Sequence, residues 1–208
     1  MTNNLTQEKI MQALDWAYEK AVDGVPGLGS AEELARDYLN RIGNAHEQAN
    51  ELIRWQNAKA GTSGFLNGLP GILLMPVTIP VNITSVMYIQ VQMIAAIAFI
   101  GGHDIRNDKV KTLIYCCLCG NAAKDILKEV GIKIGTKITQ QAIRNISMEV
   151  IVKINQAVGF RLITKFGQTG LINIGKTIPL AGGFIGATFD SVTTNIIGNI
   201  ARDTFIKT

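Results

Sequence analysis

The stretch from Ala60 to Gly102, AGTSGFLNGLPGILLMPVTIPVNITSVMYIQVQMIAAIAFIGG, contains no charged side chain. Such a segment has to be buried in a core, set in a membrane or covered by a partner. Pro70, Pro76 and Pro80 divide it, because a proline inside a helix removes a backbone hydrogen bond and clashes with the preceding turn. The expected layout is a helix or half-helix from about Ser63 to Met75, a break, and a long helix from Pro80 to about Ile100. Proline suits a first helical position, where its missing N–H has no helical partner to lose. Val81 to Ile100 has the length of a bilayer span, about 20 residues. Asn82, Thr84, Ser85, Gln90 and Gln92 count against a span, since unpaired polar groups in lipid are costly. A buried core helix, or a hairpin lying partly in the membrane, fits the same pattern.

A second low-charge block runs from Thr177 to Ala201, interrupted only by Asp190. It opens Ile178-Pro179-Leu180, as the first long helix opens Ile79-Pro80-Val81. Gly182, Gly183 and Gly186 offer a flat face for close helix approach. The two Pro-started helices, about 80–100 and 179–201, are therefore expected to pack together as the central pair.

The rest of the chain carries helical punctuation. Thr6 caps a first helix whose inner face is Ile10, Leu14, Ala17 and Ala21, closed by Gly24 to Gly29. Ser30 followed by Glu33 is a capping box, and Leu34, Tyr38 and Ile42 mark the face behind it. Ala45, Ala49, Leu52, Ile53 and Gln56 define a third amphipathic helix. Asp104 or Asn107 caps a helix from Asp108 to Cys119, and Gly120-Asn121 interrupts it before Ala122 to Val130. From Ile132 to Phe166 an alternating strand is arguable, but Ile134, Ile138, Ala142 and Ile146, then Ile151, Ile154, Val158 and Leu162, keep helical spacing. Two helices are expected there. The sum is an all-α single domain of eight to ten helices: amphipathic helices over 1–59, the uncharged block over 60–102, Lys-rich helices over 103–176 and a Gly-rich helical end over 177–208.

Charge is scarce, at 17% of residues against about 25% in an average soluble domain. The net charge of +4 hides an asymmetry, because the part before Ala60 is acidic. Between Lys124 and Lys176, the cations Lys124, Lys128, Lys133, Lys137, Arg144, Lys153, Arg161, Lys165 and Lys176 face only Asp125, Glu129 and Glu149. Such a segment suits anionic headgroups or an acidic partner; without interleaved aromatics it does not read as a nucleic-acid surface. The first residues show no basic-then-apolar leader, and three cysteines in such a chain suggest a reducing compartment. The expected location is cytoplasmic, peripheral to or partly inserted in the inner membrane.

Candidate sites are sparse. Gly170-Leu-Ile-Asn-Ile-Gly175-Lys176-Thr177 matches the phosphate-binding pattern GxxxxGK[ST]. There Lys176 would reach outer phosphate oxygens and Thr177 would hold magnesium, but only within a strand–loop–helix context. Cys116, Cys117 and Cys119 are close in sequence, yet adjacent helical cysteines point about 100° apart and only His46 and His103 could join them, so packing is the expected role. No metal or cofactor is expected. Asn121, Lys124 and Asp125 form one polar group and Asp190 with Arg202 another; buried charges need partners, so Lys124 or Arg202 is expected to pair with Asp190 or Asp125. Gln90 and Gln92 read as interhelical hydrogen bonders or ligand contacts. Lys133, Lys137 and Lys165 are candidates for a membrane surface. Trp16, Trp55 and Tyr88 could anchor at an interface or pack in the core. With two histidines and no Ser/His/Asp set, little acid–base chemistry is available near neutral pH.

Five strings, GVPGLGSAEELARDYL (24–39), LIRWQNAKAGTSGF (52–65), GGHDIRNDKVKTLIYCCLCGNAAKD (101–125), INQAVGFRLITKFG (154–167) and IGNIARDTF (197–205), together resemble the EcsC family. They run in order over nearly the whole chain. That family takes its name from the third gene of a bacterial operon whose neighbours encode an ABC transporter, and its members look membrane-associated. The paired blocks IPVNITSVMYIQVQMIAAIA and IPLAGGFIGATFDSVTTNIIGNIA also resemble the helical, membrane-linked domain appended to some dynamin-like and Era-like GTPases, though this chain carries no GTPase domain ahead of them. The resemblance implies a membrane location and a transporter context; with the low-charge helices and the Lys-rich segment, the expected function is a non-enzymatic accessory to a membrane transport or secretion system, with anionic lipid or an ABC transporter as partner. Alternatives are a soluble helical domain holding a lipid-like or apolar ligand, and a nucleotide hydrolase using Lys176.

Overall fold

Every regular element among the described residues is an α-helix. The computed structural model describes residues 6–60, 81–132, 140–174 and 182–206, with side chains described for 6–58, 83–132, 140–166 and 193–206. The helix expected from Ser63 to Met75, the four prolines at 70, 76, 80 and 179, and Ile134 and Ile138 lie outside these residues. The nine described helices are α1 (Gln7–Asp23), α2 (Ala31–Leu39), α3 (Ala45–Ala60), α4 (Val81–Ile100), α5 (Asp108–Cys117), α6 (Ala122–Glu129), α7 (Gln140–Arg144), α8 (Met148–Ile174) and α9 (Gly182–Phe205).

Helix α4 is the axis of the domain. It is apolar on every side, which in a folded chain means that every side must be covered. Helices α1, α2, α3 and α9 pack around it, and α5 follows at its end. Its Ile83–Ile100 window is long and apolar enough to cross a membrane, yet 94% of that window is buried inside the protein. Of the polar groups that argued against a span, Thr84, Ser85, Gln90 and Gln92 are buried, and the Asn82 side chain lies outside the described residues. The Gln90 amide donates to Thr194 Oγ1 of α9 at 3.1 Å, and the Gln92 amide donates to the Gly29 carbonyl before α2 at 3.1 Å. The expected pairing of the two long low-charge helices is therefore present as α4 against α9.

The outer helices follow their caps. Thr6 accepts from the Lys9 amide to start α1, and Ile10, Leu14, Ala17 and Ala21 all reach the core. Ser30 and Glu33 bond reciprocally to open α2. Here the reading of the buried face needs correction. Ala31, Ala35 and Tyr38 turn inward, whereas Ile42 lies beyond the helix end, in the turn that leads to Gly43, and is fully exposed. Helix α8 buries Ile151, Ile154, Val158 and Leu162 as their spacing predicts.

Two close approaches tie α9 into place. A methyl carbon built on Gly198 would lie 2.7 Å from Ile53 Cγ1 and 2.9 Å from its Cγ2, so α3 and α9 meet where only hydrogen fits. At the far end, a methyl on Gly101 would fall 2.3 Å from the Phe205 carbonyl oxygen. His103 is buried there, its Nε2 3.0 Å from that same oxygen and its ring edge-on to Phe205 at 5.3 Å. A carbonyl only accepts, so Nε2 carries the proton.

Gly198→Val is expected to lower the unfolding free energy by about 1–3 kcal/mol through overpacking, and by less in an Ile53→Ala background, as read by urea denaturation. Equal losses in both backgrounds would refute the contact. For His103, burial lowers the pKa below its ordinary value, against the opposing effect of the Phe205 bond. Between the two values the unfolded chain binds more protons, so stability falls as pH drops below about 6.5. His103→Gln should flatten the melting-temperature profile between pH 7.5 and about pH 5.5; an unchanged slope would remove His103 from the account.

Candidate functional site

Three helices each contribute one stripe to a polar junction. Met11, Asp15 and Tyr18 recur at i, i+4 and i+7 on α1. Asp108, Lys111, Thr112 and Tyr115 recur at i, i+3, i+4 and i+7 on α5, and Met148, Ile151 and Asn155 do so at i, i+3 and i+7 on α8. Residues at these spacings share a helix face. Except for Tyr18, which stands beside them, they line a solvent-open pocket of about 170 Å³.

Asp15 organises the junction. Its Oδ1 accepts from the Tyr115 hydroxyl at 2.6 Å and from Lys111 Nζ at 2.8 Å. The Lys111 ammonium also lies 5.0 Å from the Tyr18 ring centre and 5.5 Å from that of Tyr115, within cation–π range. The two tyrosine rings meet edge to face at 5.7 Å, and the Tyr18 hydroxyl donates to the Ile105 carbonyl. Burial pushes the Tyr18 phenol up to about 12. Burial, then the bond to Asp15, raises Tyr115 further. Both phenols therefore hold their protons near neutral pH and act as donors. Thr112 spends its proton on the Asp108 carbonyl at 2.9 Å. By contrast, Asn155 Oδ1 faces no solvent and has no hydrogen-bond partner.

None of these residues stood out in the sequence as a site residue, and Ile151 was read only as part of a buried helix face. Their i, i+4 spacing is that of any amphipathic helix, and the pairing of Asp15 with Tyr115 spans 100 positions. The residues singled out from the sequence are scattered. Gln90 and Gln92 are core bridges of α4. Asn121, Lys124 and Asp125 sit exposed around the start of α6, where water solvates them and no buried-charge argument applies. Arg202 does not reach Asp125. It bonds Asn50 Oδ1 at 2.5 Å, Asn199 Oδ1 at 2.9 Å and Asp203 Oδ1 at 2.7 Å, because i, i+1 and i−3 neighbours and facing α3 are within its reach. The Asp190 side chain, Lys133, Lys137, Gly175, Lys176 and Thr177 lie outside the described residues. Thr164–Thr169, which a phosphate-binding loop needs as a strand, are helical in α8, as are Gly170–Ile174. Lys165 donates to the Leu118 carbonyl at 3.4 Å and lies 5.2 Å from the Phe166 ring centre.

The cysteines are packing groups. Cys116 donates to the Ala123 carbonyl and Cys117 to Thr204 Oγ1, each at 3.7 Å. Burial pushes the Cys117 and Cys119 thiols up to about 12 and raises Cys116 as well, so thiolate, the reactive form, is suppressed. Trp16 and Tyr88 are core residues, whereas Trp55 is 57% exposed.

Exposed large apolar side chains fall in two places among the described residues, Leu39, Ile42 and Trp55 around α2 and α3, and the outside of α8. On α8, Met148 is 72%, Val152 49% and Phe160 64% exposed. Lys153, paired with Glu149 at 2.7 Å, and the exposed Arg161 lie beside them. Large apolar side chains with cations beside them on the exposed part of a helix are features of an interfacial helix.

A family model, described as the EcsC protein family, matches residues 2–207. No curated protein and no solved structure matches the chain.

Tyr115→Phe keeps the ring contact with Tyr18 but deletes the donor to Asp15. It is expected to cost about 1 kcal/mol of unfolding free energy, the carboxylate being half exposed. In an Asp15→Ala background the cost should shrink toward zero; a cost that persists there would mean that the hydroxyl is held by something else.

Proposed function

The chain belongs to the EcsC protein family, and on that premise we propose that it is a non-enzymatic, peripheral membrane protein, an accessory to a membrane transport or secretion system on the cytoplasmic face. The observation that carries this reading is the α8 surface, where Met148, Val152 and Phe160 stand out of the fold beside Lys153 and Arg161. Between Lys124 and Lys176 nine cations face three anions, and a basic segment gains about 1 kcal/mol per Lys or Arg near an anionic bilayer. Exposed aromatic and aliphatic groups add burial in the headgroup region.

In this reading attachment runs through the surface of α8, and α4 stays in the core. The apolar mass of Ala60–Gly102 that invites an inserted hairpin includes α4, whose described part is already covered by protein. Carriage of a lipid-like ligand draws less support, since the α1–α5–α8 pocket is about 170 Å³ and the larger hollow of about 350 Å³ beside Tyr38 and Trp55 is lined by the charged Arg41, Glu51 and Arg54.

Flotation of the full chain with phosphatidylglycerol vesicles at low salt is the test, with phosphatidylcholine vesicles as the comparison. Binding to the anionic vesicles that falls with salt is expected. Lys153→Glu with Arg161→Glu should weaken it by about tenfold or more, and Phe160→Ser should weaken it further. Absence of flotation, or flotation indifferent to these substitutions, would overturn the reading.

A further inference from the structure

The turn between α2 and α3 holds an isoleucine out of the fold. Ile42 is fully exposed, Leu39 before it is 40% exposed, and Trp55 on α3 is 57% exposed. The turn is fixed from behind. The buried Gln48 amide shares its N–H groups among the carbonyls of Arg41, Gly43 and Leu39 at 3.1, 3.2 and 3.4 Å. Asn44 and Glu47 bond reciprocally at 3.0 Å to open α3. Groups held in place beforehand lose little freedom on binding. Beside the turn lies an open hollow of about 350 Å³, lined by Tyr38, Arg41, Glu51, Arg54 and Trp55. Arg41 lies over the Tyr38 ring at 4.2 Å and pairs with Glu51, so its charge is answered. Arg54 makes no ion pair among the described residues. Tryptophan, tyrosine and arginine are the residue types that dominate contacts between proteins.

Charge selects the occupant. Between Ala31 and Ala58, Glu32, Glu33, Asp37, Glu47 and Glu51 outnumber Arg36, Arg41 and Arg54. A bilayer presents a sheet of anions to that whole face and is repelled. A single carboxylate meets only charges within a Debye length, about 8 Å, and in the hollow the unanswered charge is Arg54. Helix α8 packs on α1, α5 and α6, whereas α3 packs on α2, α4 and α9, so the two exposed surfaces belong to different flanks of the domain. We propose that the α2–α3 corner docks a protein segment carrying a carboxylate between large apolar side chains. The apolar groups cover Leu39, Ile42 and Trp55, and the carboxylate pairs with Arg54. This docking does not rest on α8 meeting a bilayer.

The experiment uses the full chain labelled with 5-fluorotryptophan, titrated with the peptide acetyl-Leu-Asp-Phe-Leu-amide and with forms carrying Asn or Lys in place of Asp. The Asp peptide is expected to shift the Trp55 ¹⁹F signal saturably while that of Trp16, packed in the core, stays still. The Asn peptide should bind about threefold more weakly, as suits an exposed ion pair, and the Lys peptide more weakly again. Arg54→Ala should erase the difference between the Asp and Asn peptides. Ile42→Ser should weaken all three, with the Trp16 signal reporting an intact fold in both variants. Neither substitution should change flotation on phosphatidylglycerol vesicles; if the unaltered chain does not float, the titration still decides. No saturable shift, or equal affinity for the three peptides, overturns the proposal. So does flotation lost with Ile42→Ser, which gives the corner to lipid. A dimer in sedimentation velocity that Ile42→Ser turns into monomer also overturns it, giving the corner to a second copy.

Discussion

The structure depends on covering α4 completely while answering its polar groups. An apolar helix is easily buried, but Thr84, Ser85, Gln90 and Gln92 go into the core with it. Each amide has to find a partner across a helix boundary. Gln92 finds a backbone carbonyl ahead of α2, and Gln90 finds a hydroxyl on α9. These bonds fix where α2 and α9 stand along the axis, something that burial of aliphatic groups, being non-directional, does not do. The cover is incomplete in one respect. Tyr88 Oη and Gln90 Oε1 are buried without partners, and the wide apolar contact around α4 has to offset their desolvation.

What the sequence revealed follows from how local each signal is. Caps act over three or four residues, so Thr6 and Ser30 with Glu33 could be read directly and are where they were expected, and Asn107 is the one of the two candidates, Asp104 and Asn107, that caps α5. The period of Ile151, Ile154, Val158 and Leu162 likewise identified the inner face of α8. Ile42 misled because spacing alone does not say where a helix stops; α2 ends at Leu39 and leaves it in a turn. Arg202 misled because charge complementarity names many possible partners and geometry selects one. The Asp15–Lys111–Tyr115 junction was invisible for a stronger reason. Its members come from helices far apart in the chain, and no rule of spacing links a position in α1 to one in α5 or α8. The family likeness was legible because it rests on whole strings in order rather than on any one residue.

Helix α8 has two separate roles. Its inner face lines the pocket with Ile151 and Asn155, and its outer face shows Val152 and Phe160 to solvent. Met148 belongs to both, lining the pocket and standing largely exposed. At 1.5 Å rise per residue, the wall and the outer face are parts of one stiff rod, so a tilt of α8 changes both together. The three cysteines take no part in either surface.

The bond between Gln90 and Thr194 joins positions 104 residues apart, and this has a consequence for synthesis. A ribosome adds roughly 5–20 residues each second, so α4 leaves it on the order of ten seconds before α9 exists. Over that interval the most apolar helix of the chain has α1, α2 and α3 beside it but lacks the cover that α9 later provides. The nascent protein thus passes through a stage with a long greasy flank open to chaperones, to lipid or to a neighbouring copy, and the arrival of α9 ends it.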